Sequence, residues 1–212
     1  MRLGHLDVQP LLDGVFTAPD DFFGGADLTT HPEVLDPDGR LRLPIGCFLV
    51  RSGERLVLVD AGVGPVHDET FDGGRLLDAL AAVGVGPADL DLVVCSHLHL
   101  DHCGWLIDRH AQPVFPSATV AVGAGDWRHF VEDEVGFMRR SIRVGLLSLA
   151  EAGGTQLLEG DAELAPGLTV TAAPGHTPGH ACVVLSSGTE RLLLLGDAIH
   201  CPVQLEETDW RV

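Results

Sequence analysis

Four side chains that can bind a metal ion fall within six residues, in the run His97-Leu98-His99-Leu100-Asp101-His102. The run directly follows the apolar stretch 91–96, which predicts a buried β-strand that ends where the ligands begin. Residues two apart on an extended segment point to the same side, so His97 and His99 can approach one ion together. Imidazole nitrogen and carboxylate oxygen suit zinc and its first-row neighbours. The run therefore predicts a metal site at the C-terminal end of a strand.

Two later segments supply further ligand candidates. His176 lies in Pro174-Gly175-His176-Thr177-Pro178-Gly179-His180, a bend between two apolar runs that would hold a side chain at a sheet edge. Asp197 ends the apolar run 192–196. A lone acidic residue after a strand is often only a helix cap or a turn residue, but here it is third in a series of candidates at strand ends. Five scattered histidines are interpreted as surface residues: His5, His31, His67, His110 and His129.

Taken together, these motifs resemble those of the metallo-β-lactamase superfamily in type, order and approximate spacing. The resemblance covers essentially the whole chain and includes Val59-Asp60-Ala61-Gly62, which looks like the family's upstream aspartate-glycine turn. Among the subfamilies, the chain is most similar to the lactonase-like and organophosphate-hydrolase-like branches. The resemblance implies an α+β fold, a four-layer αβ/βα sandwich with the metal site at one edge between two sheets.

The resemblance also implies a dinuclear site that holds one or two zinc ions, with iron or manganese as alternatives. Three histidines would hold one ion, an aspartate and a histidine the second, and a further aspartate would bridge both. In that order these ligands are His97, His99 and His176, then Asp101 and His102, then Asp197.

Two residues would take part in the chemistry that the resemblance implies. Asp101 would orient a metal-bound hydroxide nucleophile and carry its proton to the leaving group. His200 lies three residues after Asp197, where lactonase-like relatives can carry a substrate-contacting tyrosine, and this chain has no tyrosine. A catalytic role and a solvent-facing loop position are both open for His200. His180 and Asp60 would hydrogen-bond to the ligand loops.

The implied function is metal-dependent hydrolysis of a small lactone, ester, thioester or organophosphate-type substrate. One alternative is an iron-dependent redox enzyme of the same fold, and another is a non-catalytic metal-binding remnant. The chain has 31 acidic residues against 13 arginines and no lysine, for a net charge of -18. This charge would repel the phosphate backbone of nucleic acid, which argues against the nuclease branches.

The remaining composition favours one soluble domain spanning residues 1–212, in the cytoplasm and with no membrane partner. Five scattered cysteines, odd in number and without CxxC spacing, argue against a disulfide framework. No apolar stretch approaches membrane-spanning length. The oligomeric state is not indicated by the sequence.

Periodicity and turn residues predict a series of short strands with interspersed helices. Residues 16–44, rich in glycine and proline, are expected to form a long loop that lines a substrate cleft or lies on the surface. Strands are predicted at 45–51, 55–59, 92–95, 118–122, 156–158, 168–173, 181–185 and 191–195, and helices at 75–83, 125–135 and 138–152.

The family pattern also includes one further ligand, a histidine well downstream of the bridging aspartate. Residues 202–212 contain no histidine, and they are too few to form the last strand and the closing helix of the sandwich. We therefore expect a domain truncated at its C-terminal end, whose second metal site is the weaker one. The alternative is a short natural variant that holds one metal ion or uses His200 as an additional ligand.

Overall fold

The parallel strands of a large sheet carry acidic and histidine residues at their C-terminal ends. The computed structural model describes residues 1–212, in which strands run in the order β1-β2-β3-β4-β6-β7-β8, with β5 paired to β2. These strands are β1 Arg2–Leu3, β2 Leu6–Thr17, β3 Arg42–Ser52, β4 Arg55–Val59, β5 Phe71–Asp72, β6 Leu92–Val94, β7 Thr119–Gly123 and β8 Thr155–Leu158. Strands β4, β6, β7 and β8 pair in parallel, so the segments after them leave from one edge of the sheet. Such an edge is where open sheets build ligand sites.

A smaller antiparallel sheet has the strand order β12-β11-β10-β9. Its strands are β9 Ala162–Ala165, β10 Leu168–Ala172, β11 Ala181–Ser187 and β12 Glu190–Leu194. Because β10 and β12 both pair antiparallel with β11, they run in the same direction. The segment with His176 and the segment with Asp197 therefore leave this sheet from the same edge.

Two hydrophobic cores hold these layers together. Residues from the facing sides of the two sheets form one core, including Val57, Val94, Val170 and Leu185. The helices cover the other face of the large sheet and form the second core. They are α1 Leu76–Ala82, α2 Leu100–Cys103, α3 Ala124–Asp126, which continues into a π-helical turn over Trp127–Glu132, and α4 Arg140–Glu151.

The outward face of the small sheet has no helix packed on it. Thr169, Thr171 and Val184 are half-buried, and Leu193 is 50% exposed. The structure thus contains three of the four layers of the expected sandwich. None of its helices combines the length and the apolar character needed to cross a bilayer.

A buried carboxylate on β2 fastens the large sheet to the loop and helix behind the metal-ligand motif. Asp13 is fully buried and accepts hydrogen bonds from the amides of Val63 (2.7 Å), Gly64 (3.2 Å) and Leu76 (2.8 Å) and from the Trp105 indole (2.8 Å). Four donors replace the water that the carboxylate loses on burial, so this charge is tolerated without a cation.

The secondary-structure predictions were right for most elements and wrong for the N-terminal part. Strand β2 was not predicted because Pro10 and Gly14 interrupt its alternation, and β9 was also missed. The expected loop 16–44 is shorter, since β2 extends to Thr17 and β3 begins at Arg42. All five cysteines are free and buried.

Candidate metal centre

Three histidines and one aspartate converge at the edge where the two sheets meet. His97 follows β6, His99 precedes α2, His176 lies in the bend after β10, and Asp197 follows β12. The His99 Nδ1 atom is 3.1 Å from His97 Nε2 and 2.9 Å from His176 Nε2. Asp197 Oδ2 lies 3.7 Å from His97 Nε2 and 3.4 Å from His176 Nε2. The four atoms form one compact group of ligand donors.

The dimensions of this group fit a zinc-sized ion. Donors bound at about 2.0–2.1 Å in a tetrahedral shell lie about 3.3 Å from one another. The observed separations of 2.9–3.7 Å bracket that value. Burial lowers the pKa of His97, of His99 and of His176, the last to about 4. These imidazoles are therefore neutral near pH 7, which is the protonation state that a metal ligand needs.

A second group of donors shares Asp197 with the first. His102 Nε2 lies 3.2 Å from Asp197 Oδ1 and 3.8 Å from Asp101 Oδ2. The two oxygens of Asp197 thus face different groups, His97 and His176 on one side and His102 on the other. All six ligands expected from the sequence are brought together in these two groups, with four donors in the first and three in the second.

Asp60 holds the second group in place from behind. Its carboxylate accepts hydrogen bonds from the Ser96 amide (2.7 Å) and hydroxyl (2.9 Å), and it lies 3.0 Å from His102 Nδ1. This contact directs Nε2 of His102 towards the site. Asp60 adopts a left-handed conformation with φ of 60°, which costs a non-glycine residue about 1–3 kcal/mol. The expected role of Asp60 as a hydrogen-bonding partner of the ligand loops is confirmed.

His180 positions Asp197, the aspartate shared by the two donor groups, through the backbone, as the sequence predicted for a residue that hydrogen-bonds near the site without being a ligand. Its Nδ1 lies 3.1 Å from the Ala173 carbonyl, and its Nε2 accepts a hydrogen bond of 3.1 Å from the Asp197 amide. Gly196 has a φ of 55°, and a Cβ there would come within 2.7 Å of His180 Nε2. Glycine at 196 therefore allows His180 to reach Asp197.

Asp126 is a buried link between the two ligand loops that sequence reasoning missed. Its Oδ2 accepts hydrogen bonds from the Leu98 amide (2.8 Å) and the Thr177 hydroxyl (3.0 Å), and its Oδ1 accepts one from the Gly179 amide (2.6 Å). Leu98 lies between His97 and His99, and Thr177 follows His176. The available signal was an acidic residue shortly after an apolar strand, the same pattern that identified Asp197.

His200 is buried beside the bridging aspartate, which excludes a solvent-facing loop position. Its side chain is 8% exposed, and its Nε2 lies 3.2 Å from Asp197 Oδ2. The imidazole packs edge-on against Phe22, with ring centroids 5.1 Å apart. The His200 Nδ1 atom is buried and has no hydrogen-bond partner. The side chain therefore contacts the first donor group directly.

The charges of the second group are strongly coupled. Burial disfavours the charged form of His102, but the carboxylates of Asp60, Asp101 and Asp197 outweigh it and raise the His102 pKa well above its usual range. Burial disfavours the charged form of Asp197 as well, but His102 outweighs it and lowers the Asp197 pKa. Without an ion, the second group is thus held by an ion pair between His102 and the bridging carboxylate.

Both donor groups lie in the wall of a cavity of about 930 Å³. Most of the cavity-lining side chains are apolar, and the polar ones include Asp101, His102, Asp197 and His200. Phe16, Phe22 and Leu43 from the region expected to line a cleft contribute to the wall. The cavity is large enough for a small organic substrate that reaches the donor groups.

Comparison with known proteins places this site in a family. Residues 41–209 match the model of the metallo-beta-lactamase superfamily. An N-acyl homoserine lactonase of Bacillus cereus is 28% identical over 186 residues, covering 80% of this chain and 69% of the relative.

Solved structures show the same fold. A probable metal-dependent hydrolase from Staphylococcus aureus superposes with a TM-score of 0.80 at 20% identity, over 93% of this chain and 74% of that one. AidC, a dizinc quorum-quenching lactonase in complex with a product, N-hexanoyl-L-homoserine, superposes with a TM-score of 0.76 at 24% identity, over 91% and 71%. These homologues and structural neighbours are hydrolases of the expected fold, and this chain belongs to the metallo-β-lactamase superfamily.

Proposed function

We propose that this chain is a zinc-dependent hydrolase of small ester- or lactone-type substrates. The observation that carries the proposal is the position of Asp197, whose two oxygens face two separate donor groups in the wall of one cavity. When bound, a pair of ions would polarise a substrate oxygen and make water acidic enough to attack it near neutral pH. His97, His99 and His176 would hold one ion with Asp197, and Asp101 and His102 would hold the second with it.

Asp101 is the side chain that we assign to proton transfer. It lines the cavity, and its side chain is 21% exposed, so one carboxylate oxygen can contact water while the other faces His102. In this position the carboxylate can accept a proton from the attacking water and deliver it to the leaving group. The same oxygen would also fix the direction from which the water attacks.

His200 is assigned to the orientation of Asp197 and to contact with the substrate. A donor hydrogen on Nε2 would bond to Asp197 Oδ2, 3.2 Å away, and hold the bridging carboxylate in one rotamer. The ring also lines the cavity beside Phe22, so it touches any substrate that reaches the donor groups. A histidine is thus used where lactonase-like relatives can carry a tyrosine.

The apolar wall and the relatives favour a substrate with an acyl group. The Bacillus cereus relative is an N-acyl homoserine lactonase, and AidC holds the product of a lactone. An apolar cavity with a few convergent polar groups stabilises an acyl chain by burial and orients its carbonyl by the polar groups. We therefore rank lactones and esters above thioesters and organophosphates.

A substrate panel with matched variants tests the proposal. Lactones, 4-nitrophenyl esters, thioesters and a phosphotriester would be assayed with the zinc-loaded chain, before and after chelation. Asp101→Asn should lower kcat by at least about 100-fold, the usual contribution of a positioned acid-base group. His110→Ala, at an exposed histidine outside the site, should have no effect.

Two results would overturn the proposal. Turnover that survives complete chelation would show that the donor groups do not serve the reaction. No turnover of any panel member by a chain shown by elemental analysis to carry its zinc would exclude hydrolysis of these bond types. Iron in protein purified without added metal, together with a visible absorption band, would instead favour redox chemistry.

A further inference from the structure

The cavity wall contains one guanidinium among several carboxylates. Arg139 lines the cavity, as do Asp60, Asp68, Asp101 and Asp197. The chain has no lysine and a net charge of -18, so a cationic side chain in the wall is conspicuous. In a chain of this charge, the acidic surroundings would repel an anionic ligand unless a cation faces it at close range.

The Arg139 side chain forms no ion pair with another residue of the protein. Four other arginines form ion pairs with acidic side chains, namely Arg42, Arg75, Arg128 and Arg143. Arg139 forms none, and its side chain makes no hydrogen bond to the first turn of α4, which it precedes. The residue as a whole is half-buried, and its guanidinium forms no ion pair. A cation without an internal counter-ion at a half-buried position attracts an anion more strongly than one that is fully exposed.

Arg139 shares the cavity wall with Asp68. The Asp68 pKa is lowered mainly by hydrogen bonds from the Phe71 and Thr70 amides, and the Arg139 charge adds to this effect. Arg139 therefore lies close enough to Asp68 for the two charges to interact along the cavity wall.

The wall next to Arg139 is apolar. Phe137, two residues earlier, also lines the cavity and is 76% exposed. Phe16 and Phe71 line it too, with ring centroids 5.3 Å apart. Apolar surface beside a single cation is the environment that suits a ligand with a hydrophobic body and one anionic group.

We propose that Arg139 binds an oxyanion, a carboxylate or a group of similar shape, at the end of an otherwise apolar substrate. The guanidinium can donate two parallel hydrogen bonds to such a group. The inference rests on the proposed function, since the other end of the substrate would present its ester or lactone bond to the donor groups. Arg139 is thus a specificity-determining residue that selects anionic over neutral substrates.

Binding of paired fluorescent probes tests this role independently of turnover. The zinc-loaded chain would be titrated with 1-anilinonaphthalene-8-sulfonate and with its neutral counterpart N-phenyl-1-naphthylamine. Arg139→Gln should weaken binding of the sulfonate about tenfold, equivalent to about 1.4 kcal/mol, and leave the neutral probe unchanged. Arg139→Lys should restore part of the affinity. Arg140→Gln, at the adjacent exposed arginine, is the matched control and should behave as the unaltered chain.

A kinetic pair then tests the same role in the reaction. The ratio of kcat/KM for mono-4-nitrophenyl suberate to that for 4-nitrophenyl octanoate should fall about tenfold in Arg139→Gln, through KM. If Arg139→Gln weakened binding of the two fluorescent probes equally, or weakened binding of neither, the assignment of Arg139 would be overturned. If neither ester is hydrolysed but the sulfonate is still bound through Arg139, the proposed function fails and the anion site stands.

Discussion

Replacing Asp126 by asparagine tests whether the link between the two ligand loops controls metal binding. The carboxylate accepts three hydrogen bonds, two at Oδ2 and one at Oδ1, and it is fully buried. An asparagine amide must turn its NH₂ towards one of these positions. In the better orientation only the bond from the Gly179 amide is lost, and this partly buried donor is left without its acceptor.

The expected loss of stability follows from that geometry. A buried hydrogen bond to a charged group contributes about 1.5–3 kcal/mol, so Asp126→Asn should lower the free energy of unfolding by about 2–3 kcal/mol. For a chain of this size that is a fall in Tm of roughly 4–12 °C. Because the link holds the loops with His97, His99 and His176, zinc affinity should also fall, by about 10–100-fold.

Differential scanning calorimetry and competitive zinc titration against a chelating dye measure the two effects separately. Asp133→Asn, at an exposed carboxylate seven residues later, is the control and should change neither quantity by more than experimental error. A variant with the expected fall in Tm but a zinc Kd within twofold of the unaltered chain would refute the reasoning. It would show that Asp126 stabilises the fold without setting the spacing of the ligands.

Three further outcomes are expected. The first donor group has four ligand atoms and the second has three, so dialysis should leave about one tightly held ion per chain, as measured by elemental analysis. His176→Ala should abolish binding of this tightly held ion, whereas His102→Ala should affect mainly the weaker ion. The pKa of His102 is raised, so at pH 7 an ion must displace the His102 proton, and affinity for the second ion should rise as pH increases from 6 to 8. The first ion binds imidazoles whose pKa values are lowered, so calorimetric titration should show that its affinity depends little on pH over the same range. Asp13→Asn places an NH₂ group against two of the four hydrogen-bond donors that contact this side chain. The free energy of unfolding measured in urea should therefore fall by about 3 kcal/mol, and the zinc stoichiometry of the folded fraction should not change.

The residues of the two donor groups were predictable because their chemistry is local in the sequence. Four of them fall within residues 97–102, Asp197 directly follows an apolar run, and His176 lies in the bend after another. A strand end fixes where a side chain leaves the sheet, so residue type and position together point to one edge. The strands next to these motifs were predicted for the same reason, since β4, β6, β10 and β12 are short, apolar and bounded by turn residues.

The residues that the sequence did not reveal act through contacts between distant segments. Asp13 lies inside a strand whose alternation is broken by Pro10 and Gly14, and its partners are 50 to 92 residues away. Asp126 accepts hydrogen bonds from Leu98 and Gly179, which are 28 and 53 positions away in the sequence. No local pattern distinguishes such carboxylates from those in exposed turns. The role of Arg139 was hidden for the same reason, because its lack of a partner is a property of the fold.

The polar links, and not the hydrophobic core, fix the geometry of the candidate metal centre. Ligands come from both sheets, and the core between the sheets is built of aliphatic side chains whose attraction has no preferred direction. Such a core tolerates small sliding movements, whereas a functional constellation must be held within about 0.5 Å. The directional contacts at the junction are the hydrogen bonds of Asp126 with Thr177 and Gly179 and the bond of 2.8 Å from the Ala181 amide to the Ser96 carbonyl. These bonds join the loop of His176 to the segment that carries His97, so the spacing of the ligands depends on them more than on the area buried between the sheets.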